Sequence, residues 1–248
     1  MYDRGCAVST RRRSARTAVG ISVASVAATS SLLAGCTSVI SGTAKPSAMS
    51  AADPMDGPPS GKALSALLLD PADFPNRYDA IVLPAQAVAM AAPDLTGVPL
   101  TAVVDPSDCE PPEQDYGPDG TVMAVGTDNE SRSTISVELA RTDSPLDELA
   151  RQTERCGGVT VTDSGVESVV VTEITPPPPI RADDTLALRR TVKSGNERAT
   201  ITQSMVTLIA QVGDVRVSAT FMSFGDTKAD TAALDQVFTA AVQKVHNG

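Results

Sequence analysis

The chain has 248 residues, 42% of them hydrophobic and 20% charged, with 20 Lys and Arg against 30 Asp and Glu. That length allows one or two domains, and the composition excludes a collagen, a coiled coil and a wholly disordered chain. No Trp, three Tyr and four Phe leave little for stacking on bases or sugars, and one His and four Cys leave little for metal or imidazole chemistry.

The first 36 residues read apart from the rest. Arg11, Arg12, Arg13 and Arg16 form a basic segment, followed by the apolar stretch Ala18 to Leu33. At about 16 residues this stretch falls short of the roughly 20 that a spanning helix needs. Leu33-Ala34-Gly35-Cys36 then resembles the lipobox of bacterial lipoproteins, where the Cys sulfur is alkylated by a diacylglycerol and the signal is cut immediately before it. The resemblance implies that residues 1–35 are a signal peptide and that Cys36 carries the lipid. It places the protein on the extracytoplasmic face of the cell membrane. Arg12-Arg13 lacks the hydrophobic consensus of a twin-arginine signal, which favours general secretion.

Each acyl chain contributes about 0.8 kcal/mol per buried CH₂, so two or three chains hold a protein stably on a bilayer. Removing residues 1–35 takes away five basic residues and one acid, leaving 15 basic and 29 acidic groups and a net charge of −14. A body so acidic is repelled by nucleic acid, which is excluded as a partner. Residues 36–61, rich in Ser, Ala, Gly and Pro, read as a flexible tether.

The remainder, 62–248, reads as a single domain. Lys62 to Asp70 predicts a short helix with Leu64, Leu67 and Leu68 on one face, stopped by Pro71. Asp73-Phe74-Pro75 is a turn and Tyr78 to Leu83 a strand. Val88 to Thr101 reads either as a loose helix broken at Pro93 or as a loop. From Cys109 to Gly120 the density of Pro, Asp and Gly marks an exposed loop. Thr121–Thr127 and Ser133–Arg141 pair as a hairpin, the second strand alternating Ile135, Val137 and Leu139 with polar or small neighbours. Ser144 reads as an N-cap and Pro145 as the first residue of a helix that ends at Arg155, before Cys156-Gly157-Gly158. Strands follow at 158–162 and 166–174, then the rigid run Pro176–Pro179. Three more strands, 185–192, 199–212 and 215–224, precede a closing helix from about Asp230 to Val245 with an apolar stripe. The pattern predicts an α+β fold: an antiparallel sheet of about six or seven strands, one face covered by two or three helices.

Cys109 and Cys156 are the two cysteines left once Cys36 is lipidated and Cys6 discarded, and in an exported chain such a pair forms a disulfide. A lone His246 in the last helical turn suits the helix dipole and offers neither a metal site nor a triad. Asp183-Asp184 and Asp143, Asp147 and Glu148 read as solvated acids rather than glycosidase pairs. Neither a dinucleotide nor a P-loop glycine pattern occurs, so no cofactor or metal is expected. The Cys109 loop, with Gln114 and Tyr116, can face the strand bearing Arg189 and Arg190. Tyr116, Arg189 and Arg190 are therefore the candidate ligand-binding residues. The adjacent arginines read either as a local anion site or as a solvated sheet face.

The lipobox, the tether, the Ala66-Leu67-Leu68-Leu69 helix with Asp73-Phe74-Pro75, and Pro106-Ser107-Asp108-Cys109 before a Tyr-bearing loop are similar to mycobacterial lipoproteins related to the extracellular sensor domain of the kinase PknH. The resemblance spans roughly 62–247 and implies a sheet-and-helix fold with a ligand cleft; no kinase domain is present. The expected function is non-catalytic capture of a small or lipidic envelope ligand. The alternatives are an envelope hydrolase with an unrecognised nucleophile and an accessory subunit docking a membrane protein.

Overall fold

In a computed structural model the described residues are 62–196, 199–225 and 227–248. The signal segment, Cys36 and the tether lie outside them. Gly57–Gly248 forms one compact unit. In chain order its elements are α1 (Leu64–Leu67), β1 (Asp79–Val82), α2 (Ala85–Asp94), β2 (Val103–Asp105), β3 (Thr121–Asp128), β4 (Ser133–Arg141), α3 (Leu146–Arg155), β5 (Gly158–Asp163), β6 (Val166–Thr175), β7 (Asp184–Asn196), β8 (Ala199–Val212), β9 (Val215–Phe224) and α4 (Thr231–His246).

The strands make a single antiparallel sheet in the order β1-β3-β4-β9-β8-β7-β6-β5-β2. The described sheet thus has nine strands rather than six or seven, and four α-helices accompany it rather than two or three. The unforeseen strand is β2, too short for an alternating pattern and visible only through its pairing with β5.

Helices cover both faces of the sheet rather than one. On the first face α4 buries Leu234, Val237, Phe238, Ala241 and Val242 against Ile135, Val137, Val217, Ala219 and Phe221, and α1 closes the end of this core with Leu64 and Leu67. Every second residue of β4 and β9 points here, which is why their alternation is so regular. The turn at Phe74 also packs on this face, where Gly126 leaves room for its ring: a Cβ at Gly126 would lie 2.8 Å from Phe74 Cδ1. On the second face α2 sets Val88 and Ala92 on Met123, and α3 sets Leu146 on Leu186, Leu188 and Ile209.

The helix N-termini depart in one detail. Pro145, not Ser144, occupies the N-cap of α3, and no side chain caps it. The Ser144 carbonyl instead accepts from Arg216 Nη2 at 2.6 Å. The N-cap of α4 is Asp230, whose Oδ1 accepts from the Ala233 amide at 3.1 Å.

Asp230 also belongs to a polar cluster that ties three segments together. Arg77 donates from Nη1 to Asp230 at 3.1 Å and from Nε to Asp128 at 3.1 Å. Asp128, buried at the end of β3, accepts in addition from Ser131 Oγ at 2.7 Å and from the Glu130 amide at 3.0 Å. These donors, Ser131 and Arg77 foremost, hold its carboxyl well below the usual carboxylate range. A depressed folded-state pKa stabilises the fold in full above the ordinary Asp value of about 3.9, and the contribution is lost as pH falls below it. Asp128→Asn is therefore expected to lower Tm by several degrees at pH 7 and to weaken the acid-side slope of stability between about pH 5 and pH 2. Thermal melts of both proteins across that range check this; parallel curves would count against it.

Candidate functional site

Two connections cross the second face of the sheet in opposite directions. From α2, seated over β3 near one edge, residues 95–102 run to β2 at the other edge; from β2, residues 106–120 return to β3. Both passes are obligatory, because β2 and β3 are separated by the other six inner strands.

The first strap is fixed at its start. The turn that follows α2 ends at Gly97, in the left-handed region at φ 73°, whose amide donates to the Asp94 carbonyl at 3.1 Å. This glycine lies so close to the sheet that a Cβ would sit 2.9 Å from Val192 Cγ2. Thr96 Oγ1 donates to the Pro93 carbonyl at 2.6 Å and accepts from the Val98 amide at 3.1 Å. From beneath, Arg190 donates to the Leu95 carbonyl at 2.6 Å and to Thr172 Oγ1 at 3.0 Å. Val98 then joins Val104, Val159, Val161, Val170 and Val192 in an apolar cluster.

The second strap is fastened covalently. Cys109 and Cys156 are joined by a disulfide, which pins the strap to the C-terminal end of α3. Beside it Gln152 Nε2 donates to the Glu110 carbonyl at 2.7 Å. Further on, Gln114 Nε2 donates to Glu138 Oε1 at 2.7 Å and to Thr121 Oγ1 at 3.1 Å, and Thr121 Oγ1 donates to the Asp115 carbonyl at 2.6 Å.

Between the straps lies a groove of about 500 Å³. Its apolar lining includes Pro93 at the end of α2, Val98 and Leu100 from the first strap, Val104 from β2, and Pro111 and Pro112 from the second strap. Its polar lining is Thr96, Glu110, Glu113, Gln114 and Tyr116. The Tyr116 ring packs with the Val88 and Met123 cluster, while its hydroxyl has no hydrogen-bond partner among the described residues. Burial, helped by the Glu138 charge, pushes the phenol above its ordinary pKa, so it stays a neutral donor and acceptor.

Glu138, behind Gln114, is a half-buried carboxyl beneath the second strap. Burial raises its pKa, and the Gln114 hydrogen bond opposes the rise. A raised folded-state value means that the native state keeps its proton longer than the unfolded chain, so this group's contribution to stability falls as pH rises through the ordinary Glu range to the raised value. Glu138→Gln keeps an acceptor for Gln114 and removes that titration. The variant is expected to gain stability relative to the parent as pH rises from 4 to 7, measured by urea unfolding at each pH; a constant difference would contradict it.

Of the three candidate ligand residues, the structure puts Tyr116 in the groove and separates the two arginines. Arg189 and Arg190 are consecutive on β7 and point to opposite faces. Arg190 holds the first strap, whereas Arg189 is exposed on the other side, opposite Glu173 and Val206 in register. They form no anion site together. Sequence reasoning missed the first strap, whose wall residues lie in the Val88–Thr101 stretch left between helix and loop. The Gly97 stop and Pro99 were its only local signals. Cys109 and Cys156 stand as read, joined in one bridge.

Among the described residues no cluster of three or more His, Cys, Asp or Glu is placed to hold a metal ion, and no helix is long and apolar enough to cross a membrane.

Solved structures similar to the chain include the following two. One is an uncharacterized protein of Mycobacterium smegmatis, the Rv0999 ortholog, at 17% identity and a TM-score of 0.41, covering 71% of this chain and 92% of its own. The other is the extracellular domain of PknH from Mycobacterium tuberculosis, at 14% identity and a TM-score of 0.44, covering 74% of this chain and 95% of its own. No match was found among the curated proteins. The family model described as a domain of unknown function, DUF5642, matches residues 71–245, from the turn before Phe74 to the last turn of α4, and the chain belongs to that family.

Proposed function

We propose that this chain is a non-catalytic capture domain, held on the outer face of the cell membrane by a diacylglycerol on Cys36, whose groove seats a small or lipidic ligand. The groove carries the reading. Its volume of about 500 Å³ lies inside the range of roughly 300–1,000 Å³ typical of ligand sites. Its walls mix apolar side chains with polar ones, and the unpartnered Tyr116 hydroxyl offers one fixed point for orientation. The lipobox at Leu33–Cys36 supports the anchor, and the disulfide fits an oxidising compartment.

The anchor is tested by intact-mass analysis of the protein extracted from mycobacterial membranes. Cleavage before Cys36 and a diacylglycerol on its sulfur are expected; an unmodified Cys36 with residues 1–35 still attached overturns it. Capture is tested by native mass spectrometry of residues 57–248, the compact unit, purified from the same host. A retained small molecule that is lost in Ala102→Trp, which fills the groove, supports it. A bare protein labelled by a fluorophosphonate probe would instead indicate a hydrolase, and a bare protein that co-purifies with a membrane protein would indicate docking.

A further inference from the structure

We propose that residues 176–181, Pro-Pro-Pro-Pro-Ile-Arg, are a docking strip for a second extracytoplasmic protein, a domain whose groove is lined by aromatic rings and ends in a carboxylate. The strip joins β6 to β7 and shares no residue with the groove between the straps, so it stands apart from the reading of that groove. Its conformation is dictated locally. Proline fixes φ at about −65°, and each residue before a proline is driven to the extended region. The four bonds to proline are trans. Together these give a polyproline II helix, with three residues per turn.

That period sorts the strip into edges. Thr175 and Pro178 are half-buried and form the inner edge, whereas Pro176 and Pro179 are both exposed, about 9 Å apart along the next one. Both ends are fastened. Thr175 lies in the β6–β7 ladder, Ile180 and Ala182 pack on the first-face core, and the Asp183 amide donates to the Gln211 carbonyl at 2.9 Å. A strip already held in its bound form costs little to order on binding. The carbonyls of the four prolines accept no hydrogen bond among the described residues. Such free acceptors suit the indole N–H and phenol O–H groups of an aromatic groove, the way exposed polyproline segments are recognised. Arg181 gives the strip its charge. It is exposed and has no hydrogen-bond or ion-pair partner among the described residues, although the chain from Cys36 on holds 29 acids against 15 bases. The acids next to it in sequence are engaged: Asp183 accepts from the Gly213 amide and Asp184 from the Thr185 amide, each at 2.8 Å. A guanidinium left open beside the proline edge calls for a carboxylate on the partner. A second copy of this chain cannot supply the groove: it has no Trp, and Phe224 is the one exposed aromatic among the described residues.

The test titrates residues 57–248, the fold of each variant checked by circular dichroism, with a purified SH3 domain of the kind that reads P-x-x-P-x-Arg, followed by calorimetry. Saturable one-to-one binding is expected, and none to the same SH3 domain with its groove tryptophan changed to alanine. Pro176→Ala/Pro179→Ala is expected to weaken binding roughly tenfold or more, as truncating central contacts does. Pro178→Ala, on the inner edge, should weaken it less than about threefold, and Arg181→Gln roughly fivefold, the upper end for an exposed ion pair. Absence of binding by the parent, binding unmoved by the Pro176 and Pro179 changes, or a Pro178→Ala loss as large as theirs overturns the strip as a docking ligand. Binding unmoved by Arg181→Gln overturns the carboxylate assigned to the partner. Self-association of residues 57–248 that is lost in Pro176→Ala/Pro179→Ala would seat a second copy there and overturn the proposal.

Discussion

Replacing Cys109 with serine is expected to lower the unfolding free energy by about 4 kcal/mol and the melting temperature by roughly 8–16 °C. The bridge closes a ring with a sequence separation of 47 that contains β3, β4 and α3, so in the unfolded chain it restrains about a fifth of the protein. That restraint, rather than any contact of the sulfurs, supplies most of the expected effect in the loop-entropy account. Locally the change frees the second strap from the end of α3, leaving Gln152 and Gln114 as its side-chain fasteners. Thermal melts of the oxidised parent, the reduced parent and the variant provide the check. The last two should coincide well below the first. A variant as stable as the oxidised parent would show that the strap is held by its packing alone.

Truncating Phe238 to alanine should cost about 3–5 kcal/mol, the usual loss for emptying a buried aromatic site. Phe238 is 1% exposed at the centre of the α4 face, with Leu234, Val237, Ala241 and Val242 around it and Phe221 of the sheet in the same core. Relaxation is limited because α4 cannot settle closer: Asp230 fixes its N-terminus through Arg77, and Lys244 near its C-terminus pairs with Asp70 at 2.6 Å. Urea unfolding should show a lower midpoint with an unchanged slope, the mark of a stability loss without a change in exposed surface. A loss below about 1 kcal/mol would mean that the core collapses around the gap, contrary to the close packing described.

The elements most legible in the sequence are those whose environment is periodic. The β4 alternation and the α4 stripe both report one face turned to one core, and both elements lie where expected. Reading breaks down where the second face begins. Leu186, Leu188, Ala187 and Ala210 are all buried because helices lie on both sides of the sheet there, so strict alternation no longer distinguishes an inner face from a solvated one. The two arginines of β7 show the same limit. Adjacency in sequence suggested a pair, yet a strand sends neighbours to opposite sides. Tyr116 was readable as a candidate because it lies in the Pro-, Asp- and Gly-dense loop, and that loop does reach the groove. Its partners on the first strap were not, since Val98, Pro99 and Leu100 are brought to it by a crossing that spans the width of the sheet. Glu138, an apparently solvated strand position, is covered only because residues 106–120 pass over it.

The position of β9 has a consequence for how the molecule is completed. It is the last of the described strands, yet it lies between β4 and β8. Until it arrives, β1-β3-β4 and β8-β7-β6-β5-β2 are two separate ladders, each with a bare inner border. This late strand is thus the keystone that welds them, so a nascent chain lacking it cannot close its centre. Ending translation at Gly213 should therefore yield not a smaller stable protein but two sticky half-sheets that aggregate, detectable as loss of soluble material on expression.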